Sequence, residues 1–169
     1  MAGPKRIRPK GLSDYLEIMT MAAFQAGISW RVIEAKWAGF REAFDGFDPE
    51  KVASLEPPDI DRLAEDTRIV RNRAKIEAAI ANARAMVALG DTTLDELVWA
   101  HAPPPRPAPT SLADLPASTP ESTALAKELK RRGFRFVGAT TVYAMMQACG
   151  VVNDHLAGCF VRAELADRL

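Results

Sequence analysis

The sequence predicts an all-α fold of many short helices, with a helix–hairpin–helix unit near its C-terminal end. Three observations lead there. Apolar residues recur at three- and four-residue spacing through most of the chain, the stripe of a helix buried on one side. Cap, proline and acid follow one another at Asp48-Pro49-Glu50 and again at Thr119-Pro120-Glu121. That order suits a helix start, because the cap accepts an orphan amide, proline needs no donor there, and the acid faces the positive dipole end. No run alternates apolar and polar residues as a half-buried strand does.

Taken in order, Leu16 to Phe24 reads as a short first helix. Val32, Ile33, Trp37, Phe40 and Phe44 mark the buried stripe of a second. Asp48 starts a third, which Glu56-Pro57-Pro58-Asp59 breaks before a fourth carrying Ile60 and Leu63. Ile76, Ile80, Ala83 and Val87 line a longer helix that stops at Gly90. Thr93 to Ala100 forms another. From Pro103 to Pro120 the chain holds more than half of its prolines, so this stretch is an extended connection. Thr119 then launches a basic helix that runs into Gly133-Phe-Arg-Phe-Val-Gly138, a six-residue hairpin opened and closed by glycine. A last helix carries Val142, Met145, Met146 and Cys149 on its apolar side.

At 169 residues, with 48 % hydrophobic and 26 % charged, the chain suits one globular domain. We expect a basic, flexible segment over 1–13 and a single all-α domain over 14–165 that includes the proline-rich connection 103–120. No apolar run approaches the roughly 20 residues of a membrane span, so no membrane partner is expected. The basic start has no apolar core behind it, and a cytoplasmic protein with reduced cysteines is expected.

The formal net charge is zero, so attraction to a polyanion must come from how the charges are distributed. Acids dominate from Glu42 to Asp66. Bases dominate at Arg68, Arg71, Arg73 and Lys75, and again at Lys127, Lys130, Arg131, Arg132 and Arg135. A tight glycine turn at a helix N-terminus presents backbone N–H groups to phosphate. In the hairpin, Gly133 and Gly138 are expected to supply positive φ, Thr140 or Thr141 to cap the following helix, and Arg135 to reach a phosphate. The pattern points to nucleic acid.

Six segments extend the reading: Phe24-Gln-Ala-Gly-Ile-Ser-Trp30, Phe47-Asp-Pro-Glu-Lys-Val-Ala53, Ile69-Val-Arg-Asn-Arg73-Ala-Lys-Ile76, Asn82-Ala-Arg84, Arg132-Gly-Phe-Arg-Phe-Val-Gly-Ala-Thr-Thr141 and Met146-Gln-Ala-Cys-Gly-Val-Val-Asn-Asp-His155. In this order, from about residue 14 to about residue 160, they resemble the bacterial 3-methyladenine DNA glycosylase I family. The resemblance implies a helix–hairpin–helix glycosylase fold and excision of an alkylated purine from double-stranded DNA. It implies a base pocket at Trp30, Ala22, Gln25 and Ile28, with Trp30 as its aromatic wall against a cationic base. Gly27 and Ile28 take the place of the wedge that holds the base-pair gap open. Gly27, Gly133, Arg135, Val137, Gly138, Thr140 and Arg73 are the implied DNA contacts. The expected protein is a monomeric, nucleoid-associated hydrolase. No motif places a Schiff-base lysine, so no lyase activity is expected.

The chain departs from that family in two respects. Family members begin with a longer segment carrying pocket aromatics and two zinc ligands. Here only the other two ligand positions remain, His155 and Cys159, so a relic half-site without bound zinc is expected and no cofactor. The family also places a glutamate eight residues before the motif tryptophan, where this chain has Ala22. Glu17 lies five residues away, a turn of about 140° around a helix, and is no simple replacement. Asp154 is the remaining candidate carboxylate. Two alternatives stay open: a DNA-binding protein that has lost base selection, and a glycosylase for a different, bulkier lesion.

Overall fold

The computed structural model describes residues 8–155 and 157. Among them are eight α-helices and no strand. They are α1 (Leu12–Gln25), α2 (Trp30–Ala43), α3 (Pro49–Ala53), α4 (Pro57–Glu65), α5 (Arg73–Leu89), α6 (Asp91–Ala100), α7 (Pro120–Arg131) and α8 (Ala139–Ala148). α1 starts at Leu12, inside the segment expected to be a flexible tail. Just ahead of it, the Arg8 guanidinium lies over the Trp99 ring, 4.6 Å from its centre, and Pro9 is buried.

The helix starts follow the local chemistry. Asp48 Oδ1 accepts the N–H groups of Glu50 and Lys51 at 3.0 and 3.3 Å, with Pro49 at the first turn. Thr119 Oγ1 accepts the Ser122 N–H at 3.1 Å. α4 closes its start in reverse, with the Glu56 N–H donating to Asp59 Oδ2 at 3.0 Å. α5 ends at Gly90, whose φ of +83° suits glycine.

α1 and α5 organise the rest. α5 packs on α1, α3, α4 and α6, while α8 packs on α1 and α7. Ile33, Trp37, Phe40 and Phe44 are buried as their spacing predicts, but Val32 is exposed. On α5, Ile76, Ile80 and Ala83 are buried, whereas Val87 lies outside. Both valines sit at the edge of a stripe, where periodicity gives the phase but not the width.

A stack of rings supports the α1–α2 corner. Phe24 meets Phe40 edge-on at 4.8 Å, and Trp37 stacks on Phe40 at 4.9 Å and on Phe47 at 5.5 Å. Phe47 is fully buried, although its φ is +59°. Gly39 is the point of closest approach on α2: a Cβ there would lie 2.4 Å from the Arg68 carbonyl oxygen.

Candidate nucleic-acid interface

The hairpin between α7 and α8 is built by backbone turns and one buried side chain. Gly133 takes φ +91°, and its N–H donates to the Lys130 carbonyl at 3.1 Å. The Phe134 N–H returns to the Leu129 carbonyl at 3.1 Å, closing the C-terminal end of α7. Phe134 and Val137 point inward, each 3 % exposed, while Arg135 and Phe136 lie outside.

Asn82, buried on α5, holds the outer pair from below. The Arg135 N–H donates to Asn82 Oδ1 at 2.7 Å, and Asn82 Nδ2 donates to the Arg135 carbonyl at 3.1 Å. One amide thus satisfies both backbone groups of a residue 53 positions away. Asn82 belongs to a segment that carries the family resemblance, yet no sequence signal gave it this task, since a lone asparagine among alanines reads as a solvated helix face.

Several hairpin expectations need correction. Gly138 is extended (φ −66°, ψ 163°), so it is not in the left-handed region. Gly138, not a threonine, is the N-cap of α8, and no side chain caps that end. The first bond from the α8 start is the Val142 N–H to the Gly138 carbonyl at 2.9 Å. The amides of Ala139, Thr140 and Thr141 come before it and point out of the helix start. A Cβ on Gly133 or Gly138 would meet nothing within 4 Å, so the backbone is open to approach. Val137 belongs to the core, which leaves only its backbone to any contact. Thr140 is exposed.

The second element is the turn between α1 and α2. Gly27 is exposed at φ +78°, and the Ile28 N–H donates to the Gln25 carbonyl at 3.0 Å. Ala22 and Gln25 lie half-buried on α1, three residues apart and so on neighbouring positions of one face. Ile28 and Trp30 are half-buried too, with Trp30 the first residue of α2. The Trp30 indole Nε1 is buried and has no hydrogen-bond partner.

Lys75 fixes this turn from α5. Its Nζ donates to the Ala26 carbonyl at 2.8 Å and to the Phe24 carbonyl at 3.3 Å, supplying donors to the exposed end of α1. Burial pulls the Lys75 ammonium below the usual lysine range. Lys75 and Asn82 are seven residues apart. Seven residues make almost two full turns, so both lie on one stripe of α5, about 10 Å apart along its axis. The turn at Gly27 and the hairpin at Arg135 are therefore held on the same side of one rigid helix.

The cations divide into two groups. Arg73 is exposed, but Asp61 Oδ1 takes its Nη1 at 2.6 Å and Glu77 Oε1 its Nε at 3.0 Å. In the free protein its charge is thus balanced by two carboxylates of the fold. Arg131 and Arg132 share Glu128 in the same way. Among the described residues no carboxylate pairs with Arg135.

The acids fall elsewhere. Glu17 Oε1 accepts the Trp37 indole N–H at 2.7 Å and the Arg41 Nε–H at 2.7 Å, so it is engaged away from Ala22. Asp154 Oδ2 accepts from Gln147 Nε2 at 3.1 Å. Asp154 lines a cavity of about 360 Å³ together with Asn153 and the proline-rich connection from Arg106 to Pro116, and none of the four base-pocket residues lines it.

The donors for a structural zinc do not assemble among the described residues, where no three His, Cys, Asp or Glu gather. Cys149 is buried in the core, and burial pushes its thiol far up, away from the thiolate that a metal needs. His101 Nδ1 pairs with the Leu97 carbonyl at 2.8 Å. Cys159 lies outside the described residues.

A glycine hairpin opening an uncapped helix, beside an exposed glycine turn that leads to a half-buried tryptophan, defines a helix–hairpin–helix protein. The chain belongs to the methyladenine glycosylase family, whose pattern it matches over residues 9–162. It is 45 % identical over 149 residues to DNA-3-methyladenine glycosylase 1 of Escherichia coli (strain K12), covering 85 % of this chain and 79 % of that protein. Its fold is similar to the crystal structure of a 3-methyladenine DNA glycosylase I (TAG), with a TM-score of 0.85 and 41 % identity, covering 91 % of this chain and 87 % of the other. A tyrosine-to-phenylalanine variant of a 3-methyladenine DNA glycosylase I, in complex with 3-methyladenine, gives 0.84 at 29 % identity, covering 94 % and 86 %.

Proposed function

We propose that this chain is a monofunctional DNA glycosylase that removes an alkylated purine such as 3-methyladenine from double-stranded DNA, the first step of base excision repair. The observation that carries the reading is the common support of the Gly27 turn and the hairpin by Lys75 and Asn82 on one stripe of α5. A base-flipping enzyme must hold the strand and fill the vacated stack at once. The open amides at the start of α8 take a phosphate, and Arg135 adds a charge that no carboxylate of the fold neutralises. Gly27 and Ile28 enter the gap. Trp30 presents its ring face to the extruded base.

The chemistry asks little of the protein. Methylation at N3 makes adenine a cation, so the base leaves with the electron pair of the C1′–N9 bond and becomes neutral. Water adds to C1′ and gives up a proton to solvent, leaving an abasic sugar. A ring face stabilises the cationic base before it departs. The half-buried alanine at position 22 offers no carboxylate to the base, which favours relaxed lesion selection over the loss of all excision. The protein acts as a monomer on nucleoid DNA in the cytoplasm; among the described residues no helix is long and apolar enough to cross a membrane.

The test is base release from methylated duplex DNA by the wild type and by Trp30→Ala. Release by the wild type, lost on substitution, supports the reading. Tight DNA binding with no release of any methylated or bulky base would instead identify a binding protein without catalysis.

A further inference from the structure

We propose that Phe136 contacts DNA directly, its ring packing on the deoxyribose next to the phosphate held at the start of α8. The inference rests on the proposed reading of the hairpin as the strand grip and adds a contact of different chemistry.

Two phenylalanines among the described residues sit in the left-handed region, Phe47 at φ +59° and Phe136 at φ +54°. A bulky L-residue adopts that conformation only against a steric penalty, which the surrounding structure must offset. For Phe47 the compensation is visible: the ring is fully buried and stacked on Trp37 and Phe44. Phe136 has no such compensation. It is 44 % exposed and lies outside the core cluster, while its neighbours Phe134 and Val137 are buried. Within the free protein, an asparagine or glycine would serve this backbone better.

The backbone that carries the ring is also held in a fixed place. Asn82 clamps the backbone of Arg135 on one side, and buried Val137 anchors the other. An exposed aromatic on a rigid, strained turn fits a ligand that arrives from outside. Position decides which part of that ligand it meets. Phe136 lies two positions before Gly138, at most ~7 Å of chain, so the ring lies within about one nucleotide of a phosphate bound at the α8 amides. Next to a phosphate the apolar surface of a DNA strand is its sugar. Arg135, exposed beside Phe136, supplies the ionic half of the same contact.

The test compares the full-length wild type, Phe136→Gly, Phe136→Tyr and Arg135→Ala in thermal unfolding and in binding to a short duplex across a salt series. Phe136→Gly is expected to unfold at the wild-type temperature or above, because glycine relieves the strained φ. Its affinity should fall about tenfold, the worth of a partly buried ring. Its salt dependence should match the wild type, since no phosphate contact is lost. Phe136→Tyr should retain affinity. Arg135→Ala should lower the salt slope by about one. Unchanged affinity in Phe136→Gly overturns the proposal. So does a joint fall of affinity and unfolding temperature, which would make the ring a support of the hairpin. A wild type that binds no DNA refutes the strand-grip reading itself, whereas binding without excision leaves the Phe136 contact standing.

Discussion

Replacing Asn82 by alanine removes both hydrogen bonds that hold the hairpin to α5, at 2.7 and 3.1 Å. Each orphaned buried group costs about 1–3 kcal/mol. Arg135 is exposed, so water can approach its backbone and the lower end of the range applies. Together the two groups cost about 2 kcal/mol, and the void left by a fully buried amide adds about 1 more. For a chain of this length that corresponds to a fall in Tm of roughly 6–12 °C. DNA affinity should drop as well, because the hairpin loses its fixed tilt over α5. Asn82→Asp separates the two bonds. Its carboxylate still accepts the Arg135 N–H but faces the Arg135 carbonyl without a proton to donate, which raises its folded pKa. A group with a raised pKa contributes stability that is lost as pH rises, so this variant should recover toward the wild type in acid. Urea unfolding across pH, paired with binding to a short duplex, reads all three effects. An alanine variant within about 0.5 kcal/mol of the wild type, with unchanged DNA affinity, would refute the view that Asn82 positions the hairpin.

Other outcomes follow from the same geometry. Gly39→Ala should destabilise the fold by about 1–3 kcal/mol, since its Cβ would lie 2.4 Å from a backbone oxygen; an unchanged Tm would contradict the close approach of α2 to Arg68. Hydrogen bonds from Arg68 to Asp66 and from Arg132 to Glu128 hold those carboxyls below their ordinary values of 3.8 and 4.5. Depressed acids stabilise the fold above their unfolded pKa and lose that contribution as pH falls through the folded one, so unfolding should steepen below about pH 4; a stability flat from pH 6 to pH 3 would show the pairs to be idle. Asp154→Asn should slow excision of 3-methyladenine by less than tenfold, because the cationic base leaves unaided; a loss above a hundredfold, measured by single-turnover release, would give that carboxylate a catalytic part.

The architecture was largely legible because its signals are local. Asp48-Pro49-Glu50 and Thr119-Pro120-Glu121 declare helix starts within three residues, and the Ile33–Phe44 stripe needs no knowledge of its partner. The interface was less legible because its supports are distant in sequence. Asn82 bonds to the backbone of Arg135, and Lys75 to two carbonyls of the α1–α2 corner, so neither partner leaves a side-chain signature. A charge run also hides its long-range partners: Arg73 pairs with Asp61 on another helix, which the run itself does not show. The hairpin segment alone does not show which of its apolar residues is buried: Val137 is in the core and Phe136 is exposed. Val137 and Phe136 are equal candidates as letters, and only the turn at Gly133 decides which of them faces out.

The shared footing of the Gly27 turn and the hairpin on α5 has a mechanical consequence. A single helix of this length has no hinge between its first and third turns, so the two ends of the proposed grip behave as the jaws of a locked calliper. A duplex that meets both in the proposed way has to adapt to them, since they cannot adapt to it. Steps that kink easily, and damaged pairs that already stack poorly, would then be engaged sooner than sound DNA.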